Sequence, residues 1–279
     1  MRYTGPNERI RELLRRYGAR FPVAEAALLV AQGEKPELEP RRWLDELRRH
    51  GEAVRGIVAG RGAEGRAAVD LLSAYVFRDL GFRGNREAYY DPRNSYLDEV
   101  IERRLGIPIT LAIVYCEIGE RAGLRPLPVG FPGHFLVKHN LPGGPVVLDP
   151  FDAGRVLSPN ELSRLLEARY GLEVSYGPQL LRAAEPREVL ARVLRNLKAI
   201  YLRSGDAGRA FRTVDQILIF EPDAREERRD RGLLAARLGR LDRALADLVR
   251  YARALPDNVE RRTIRGEIDE LRRKRAALN

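Results

Sequence analysis

The chain has 279 residues, of which 44% are hydrophobic and 32% are charged, and its formal net charge is +10. This balance is typical of a water-soluble globular protein, and the single Cys excludes a disulfide framework or a thiolate zinc cluster. No apolar run approaches the ~20 residues of a membrane-spanning helix, and the N-terminal sequence MRYTGPNERIRELLRR lacks the apolar core of a signal peptide. We therefore expect a cytoplasmic protein with no membrane partner, no metal and no cofactor.

The first third of the chain is predicted to form helices. Apolar residues recur at helical spacing in successive stretches, beginning with Ile10, Leu13 and Leu14. Gly81, directly after an apolar stretch, is a typical helix stop. The pattern predicts a helical N-terminal lobe over residues 1–85, a small bundle with no catalytic residues of its own.

The middle third, residues 86–185, is predicted to combine a buried helix with short strands. The stretch from Ile109 to Cys116 is apolar nearly all round, which indicates a buried central helix. Short extended runs follow at 127–131, 134–139 and 145–150, with the turn sequence LPGG between the last two. A helix followed by a small antiparallel sheet makes the fold class α+β rather than the alternation of strand and helix in a Rossmann fold.

The last third contains a repeat. Gly205 and Gly239 are 34 residues apart, and one pair of Pro residues and one pair of Ala residues keep the same offset. This period, with these residue types, is typical of tetratricopeptide repeats. It predicts two helix pairs over about 191–258 and a capping helix over 259–276, within a tail domain of residues 186–279. A plain helical bundle is the alternative.

The positive charge does not favour a nucleic-acid partner. The cations are nearly all Arg, and they are spread over every segment and interleaved with acids, as in REERRDR at 225–231. A nucleic-acid surface concentrates its cations on one face. The one tight cluster, Arg272–Arg275, is typical of a solvated terminal segment. A continuous Arg face would be needed to support this third class of function.

Two residues of the predicted sheet form a candidate polar pair. If the hairpin turn centres on Leu141 and Pro142, antiparallel pairing places His134 opposite Asp149, with their Cβ atoms within ~5.5 Å. A carboxylate beside an imidazole fixes its tautomer and raises its pKa, as in a base and its orienting acid. The alternative is a structural ion pair or a polar cluster without catalytic meaning.

These motifs resemble a known family. GIPITLAIVYCEIGERAGLRPLPVGFPGHF, followed by VVLDPF, resembles the transglutaminase-like superfamily, which has a cysteine-peptidase-like fold. With NSYLDEVIERRLGIP before the helix and a tetratricopeptide tail, the chain resembles the bacterial SirB-type family over roughly residues 70–260. In the superfamily a Cys at the start of the central helix is the nucleophile, a His is the base and an Asp orients it. The resemblance implies the last two roles for His134 and Asp149, and the SirB-type family implies a regulatory role.

The position of the nucleophile does not match a Cys. Counting back from Gly123, the central helix is predicted to start near Pro108, so Thr110 lies at its start and Cys116 six residues later. At 3.6 residues per turn these two side chains point about 120° apart and cannot both face His134. A helix N-terminus lowers the pKa of a thiol, whereas an apolar site within a helix raises it. We therefore predict that Cys116 is a core residue and not a nucleophile.

Three other polar residues are weaker candidates. Thr110 is either a nucleophile that needs a strong adjacent base or a cap for the helix start. Asn94 either donates a hydrogen bond into the cleft or caps the following helix. His139 lies five residues after His134 on the same strand, so the two side chains face opposite sides of the sheet and are poor joint metal ligands.

The leading hypothesis is a regulatory or protein-interaction protein. It would combine a degenerate transglutaminase-like core with a tetratricopeptide tail and bind a protein or peptide through the tail and the core cleft. The alternative is an acyl-transfer enzyme, an amide hydrolase or transglutaminase, in which Cys116 attacks, His134 acts as base and Asp149 orients it. The direction of the Cys116 side chain distinguishes the two.

Overall fold

The computed structural model describes residues 5–171 and 177–277. The start of the predicted N-terminal lobe, a short stretch of the predicted core at 172–176 and the last two residues of the predicted tail lie outside the described residues. The chain divides into two compact units, Met1–Val193 and Leu194–Asn279.

Four helices open the first unit, in agreement with the predicted helical lobe. They are α1 Pro6–Tyr17, α2 Val23–Gln32, α3 Pro40–Gly60 and α4 Gly65–Ser73, and α4 continues as a π-helical turn over Ala74–Asp79. Pro stands at the start of α1 and α3, where its missing N–H would have no helical partner in any case. In α2 every residue from Ala26 to Gln32 is buried, so this helix lies inside the unit.

Two short strands and two helices lead into the centre of the unit. The strand β1 Arg83–Gly84 pairs in parallel with β2 Leu105–Gly106, on either side of α5 Leu97–Arg103. The helix α6 Pro108–Arg121 follows, and every residue from Ile109 to Cys116 is buried. This confirms the central buried helix that the nearly continuous apolar stretch predicts.

A four-stranded antiparallel sheet follows α6. Its strands are β3 Leu127–Val129, β4 Leu136–Leu141, β5 Gly144–Asp149 and β6 Arg155–Leu157, which are neighbours in chain order. Leu141 pairs with Gly144, so Pro142 and Gly143 form a two-residue turn. One face of the sheet is covered by α7 Pro159–Tyr170, and the apolar side chains between them include Val129, Val147, Leu162 and Leu166.

The remaining helices have the predicted repeat pattern. They are α8 Pro186–Arg203, α9 Ala207–Phe220, α10 Arg225–Arg237, α11 Leu241–Arg253 and α12 Val259–Ala276, and α8 contains the boundary between the two units. Gly205 and Gly239 occupy equivalent turns, after α8 and after α10, with φ of 75° and 71°. Such left-handed backbone favours Gly, which explains why Gly recurs at this offset. Among the described helices, none is both long and apolar enough to cross a membrane.

Candidate functional site

Thr110 lies at the start of the central helix, where the superfamily places its nucleophile. Its side chain is 1% exposed, and its hydroxyl donates to the Asn94 carbonyl at 2.7 Å and lies 3.1 Å from the Ile107 carbonyl. The hydroxyl oxygen also accepts from the Ile107 N–H at 3.2 Å. Thr110 therefore joins the helix start to the preceding loop and has no exposed atom to offer a ligand.

Asn94 is also enclosed. Its side chain is fully buried, and its amide oxygen accepts a hydrogen bond from Asn85 Nδ2 at 3.0 Å. Its Nδ2 donates to the Ala88 carbonyl at 2.7 Å and to the Tyr89 carbonyl at 3.2 Å. These bonds hold the loop that carries Tyr89, so Asn94 has a positioning role here and does not donate into a cleft.

The register of the hairpin differs by two residues from the predicted one. Val137 pairs with Leu148, so position 134 falls opposite position 151 and not opposite Asp149. His134 also lies before β4, which begins at Leu136. The expected direct cross-strand contact is therefore wrong, and the described residues include no hydrogen bond between the side chains of His134 and Asp149.

The position of the turn explains the shift. Pairing continues to Leu141 and Gly144, so the turn consists of Pro142 and Gly143, one residue later than expected. Pro has no N–H to contribute to a strand ladder and is favoured in turns. Because the shift is two residues in register, the faces of the strands keep their assignment.

Asp149 caps a turn instead of orienting an imidazole. Its side chain is 7% exposed, and Oδ1 accepts from the N–H of Phe151 at 2.9 Å and from the N–H of Asp152 at 3.3 Å. These bonds begin the 3₁₀ turn Pro150–Asp152. The carboxylate thereby fixes the position of Phe151 at the end of β5.

Cys116 is buried within the central helix. Its side chain is 8% exposed, and burial raises the pKa of its thiol, with Glu120 and Glu117 adding to the rise. The helix dipole would stabilise a thiolate at the helix start near Pro108, but Cys116 lies two turns further along the helix. The structure thus places the thiol where a thiolate is disfavoured.

Cys116 also lines a cavity of about 590 Å³ in the first unit. Phe21, Pro22 and Ile113 contribute apolar wall, and Glu117 and Glu120 contribute acidic groups. No His is among the described residues that line this cavity. An imidazole base is therefore not available to the thiol from this side.

His139 belongs to a buried polar chain that the sequence analysis did not predict. Its Nε2 lies 3.1 Å from the hydroxyl of Tyr115, which lies 3.0 Å from Ser73 Oγ. His139 is 1% exposed, and its Nδ1 makes no hydrogen bond to the described residues. Burial lowers the pKa of His139, an effect that a backbone group of Leu124 offsets only in part. The chain joins α6 to β4 and the helix α4, which is a structural role.

The surroundings of His134 include residues that the sequence analysis missed. Arg192 Nη2 donates to the His134 carbonyl at 3.3 Å, and the side chain of Arg169 lies beside Gly133. Tyr89 is close enough to Arg192 for the two to influence each other's pKa. Because Arg occurs in every segment of the chain, nothing in the neighbouring sequence indicates that Arg169 and Arg192 lie near His134. The described residues contain no group of three His, Cys, Asp or Glu side chains that could hold a metal ion.

Two family models match the chain. A model described as transglutaminase-like superfamily matches residues 41–195, and a tetratricopeptide repeat model matches residues 197–268. The first match covers more than half of the chain and includes α3 to α7, His134 and Arg192. The second covers α9 to α11 and most of α12.

Curated relatives match over nearly their whole length. A UPF0162 protein of Xylella fastidiosa (strain 9a5c) is 37% identical over 258 residues, 91% of this chain and 92% of the relative. A UPF0162 protein of Vibrio cholerae is 30% identical over 89% of this chain and 92% of the relative. UPF0162 protein YchA of Escherichia coli (strain K12) is 27% identical over 92% of this chain and 96% of the relative. No solved structure matches the chain. The chain therefore belongs to the transglutaminase-like superfamily, with a tetratricopeptide tail, and within it to the family of UPF0162 proteins.

Proposed function

We propose that this protein is a non-catalytic binding protein with a regulatory role. The transglutaminase-like core binds a peptide or a small polar ligand near His134, and the tetratricopeptide tail docks a protein partner. The proposal keeps a three-part division into residues 1–85, 86–185 and 186–279, and a cytoplasmic location. Tetratricopeptide repeats in general offer extended surfaces for protein binding, which supports the second half of the proposal.

One observation carries the proposal. At the start of the central helix, where the superfamily has a thiol, this chain has the enclosed hydroxyl of Thr110, which donates to the Asn94 carbonyl and lies 3.1 Å from the Ile107 carbonyl. A Thr nucleophile needs an adjacent base, and no described imidazole is hydrogen-bonded to this hydroxyl. The chain's single thiol, Cys116, lies two turns further on with a raised pKa. The geometry supports binding better than acyl transfer.

The alternative, an acyl-transfer enzyme that uses Cys116, has one observation in its favour. Cys116 lines the cavity of about 590 Å³, so a ligand there would touch the thiol. The acids beside it, Glu117 and Glu120, raise the pKa of the thiol further and make it a weaker nucleophile at neutral pH. This charge pattern is opposite to the one that activates a cysteine.

A test of acyl transfer separates the two functions. The full chain is incubated with a glutamine-rich protein as acyl donor and a fluorescent amine as acyl acceptor, and amine incorporation is compared with that of Cys116→Ala. We expect no incorporation above the variant. Incorporation by the wild type that Cys116→Ala and His134→Ala both lose would overturn the proposal in favour of the enzyme.

Partner binding is tested with the same variants. Affinity capture with the full chain, followed by cross-linking and mass spectrometry, identifies a partner and the residues it touches. The identified partner is then purified, and its Kd is measured for the wild type and both variants. We expect Cys116→Ala to bind as the wild type does and His134→Ala to bind its core ligand more weakly. A partner whose binding requires the thiol would contradict the proposal.

A further inference from the structure

The turn that carries His134 leaves its imidazole partly exposed. The His134 N–H donates to the Phe131 carbonyl at 3.0 Å, and Gly133 between them has a φ of 75°. Gly133 is exposed and His134 is half-buried. The imidazole makes no hydrogen bond to the described residues, so it is available to a ligand.

Two guanidinium groups flank this turn. Arg192 of α8 donates from Nη2 to the His134 carbonyl at 3.3 Å, and its guanidinium lies 5.9 Å from the centre of the Phe135 ring. Arg169 of α7 lies beside Gly133, with Cδ 3.4 Å and Nε 3.9 Å from the position that a Cβ on Gly133 would take. Two guanidinium groups therefore lie next to the turn that carries the imidazole.

Neither guanidinium has an acidic partner among the described residues. Glu188 is one helical turn before Arg192, but it is paired with Arg182 at 2.7 Å. Burial lowers the pKa of Arg192, and the Tyr89 phenol only partly opposes this. A half-buried cation without a counter-ion is destabilising unless something compensates it. An anionic ligand would supply that compensation.

An aromatic surface lies beside Arg192. Tyr89 is 42% exposed and packs edge-on against Phe151, with ring centres 5.8 Å apart. Tyr90 is 59% exposed and packs edge-on against Tyr89 at 5.3 Å. The acids directly next to these rings in sequence, Asp91 and Asp152, are paired with Arg93 at 2.7 Å and with Arg86 at 2.8 Å. Exposed, clustered aromatic rings mark a place where a ligand's apolar group is buried.

We propose that Arg169, Arg192 and His134 bind a peptide carboxylate, while Tyr89, Tyr90 and Phe151 bind the apolar side chain next to it. This inference rests on the proposed binding function and names its ligand class, a peptide with an aromatic or aliphatic residue beside a carboxylate. Arg forms paired hydrogen bonds with carboxylates, which suits this geometry. The aromatic surface would contribute nothing to a free inorganic anion, so it favours the peptide.

Small probes test the inference on the full chain. N-acetylphenylalanine combines a carboxylate with an aromatic ring, and N-acetylphenylalaninamide is its uncharged match. Binding is followed by NMR of the His134 imidazole, assigned by comparison with His134→Ala. We expect saturable binding of the carboxylate with a Kd on the order of 1 mM, and binding of the amide at least about tenfold weaker.

Variants locate the binding. Arg192→Gln and Arg169→Gln are each expected to weaken the binding of N-acetylphenylalanine by about tenfold. Arg192→Lys is expected to lose less affinity than Arg192→Gln, because it keeps the positive charge. Tyr89→Ala should weaken the binding of N-acetylphenylalanine but leave the binding of acetate unchanged. The matched control is Arg48→Gln, because Arg48 is an exposed guanidinium paired with Asp45 and Glu52 on α3. Arg169 is exposed, so Arg169→Gln decides the question if Arg192→Gln fails to fold.

Four results would overturn the inference. The first is that the carboxylate and the amide bind equally well, and the second is that the His134 signals do not shift at up to about 20 mM probe. The third is that Arg48→Gln weakens binding as much as the site variants do. The fourth is that inorganic phosphate displaces N-acetylphenylalanine at lower concentrations than N-acetylphenylalanine itself needs to bind. The last would reassign the site to phosphate groups. Thiol-dependent amine incorporation with carboxylate binding intact would instead overturn the proposed function and leave this site standing.

Discussion

Replacement of Tyr115 by Phe tests the buried polar chain at the centre of the first unit. The hydroxyl of Tyr115 lies between His139 Nε2 at 3.1 Å and Ser73 Oγ at 3.0 Å, and the side chain is fully buried. The Phe ring would keep the stacked contact with Phe77, whose ring centre is 5.5 Å away. The substitution therefore removes one oxygen and little packing.

The expected loss of stability follows from the hydrogen bond that His139 loses in Tyr115→Phe. His139 is 1% exposed and Tyr115 is the hydrogen-bond partner of its Nε2, so Tyr115→Phe leaves this buried nitrogen without a partner among the described residues. An unsatisfied buried polar group costs about 1–3 kcal/mol. We expect the free energy of unfolding to fall by about 2 kcal/mol at neutral pH.

The assay is urea denaturation followed by circular dichroism, with Tyr75→Phe as the matched control. Tyr75 also bonds a His, with its hydroxyl 3.0 Å from His50 Nδ1, but it is only partly buried, so water can replace the bond. Its loss should cost about 0.5–1.5 kcal/mol. A Tyr115→Phe chain as stable as the wild type, or no less stable than Tyr75→Phe, would refute the reasoning.

Three further predictions concern stability. Gly51→Ala should cost about 1–3 kcal/mol in thermal or urea unfolding, because a Cβ there would lie 2.2 Å from Arg121 Cβ where α3 meets α6; an unchanged melting temperature would contradict this. Burial lowers the pKa of His139 in the folded chain, so below the ordinary value of 6.5 the unfolded chain binds more protons than the folded chain. The free energy of unfolding therefore decreases as the pH is lowered. His139→Gln should show a smaller decrease between about pH 7 and pH 5, and a decrease equal to that of the wild type would contradict this prediction. Asp149→Ala should cost about 1 kcal/mol through loss of the turn cap while Asp149→Asn loses less, and equal losses from both would favour a role for the charge.

The central helix and the repeats were predictable because each leaves a local pattern. The stretch from Ile109 to Cys116 is apolar nearly all round, which favours burial on all sides, and the structure buries every one of these residues. The recurrence of Gly205 and Gly239 reflects two equivalent left-handed turns. In both cases the cause lies within one element or one repeat.

The details of the site depend on distant contacts, which explains what the sequence analysis missed. A one-residue change in the position of the turn at Pro142 moved His134 away from Asp149. Tyr115 and His139 meet across 24 residues, and Arg192 meets His134 across 58. Nothing near these residues in the sequence indicates such pairs, since only packing of the helices against the sheet brings them together.

Alkylation of native Cys116 with iodoacetamide, followed by mass spectrometry across pH 5–9, tests the central claim most directly. The chain has one Cys, so any adduct reports on this thiol alone. Its burial and raised pKa predict slow labelling that rises only near about pH 9 or on unfolding. Rapid labelling near about pH 6 that disappears in His134→Ala would show an activated thiolate and contradict the account.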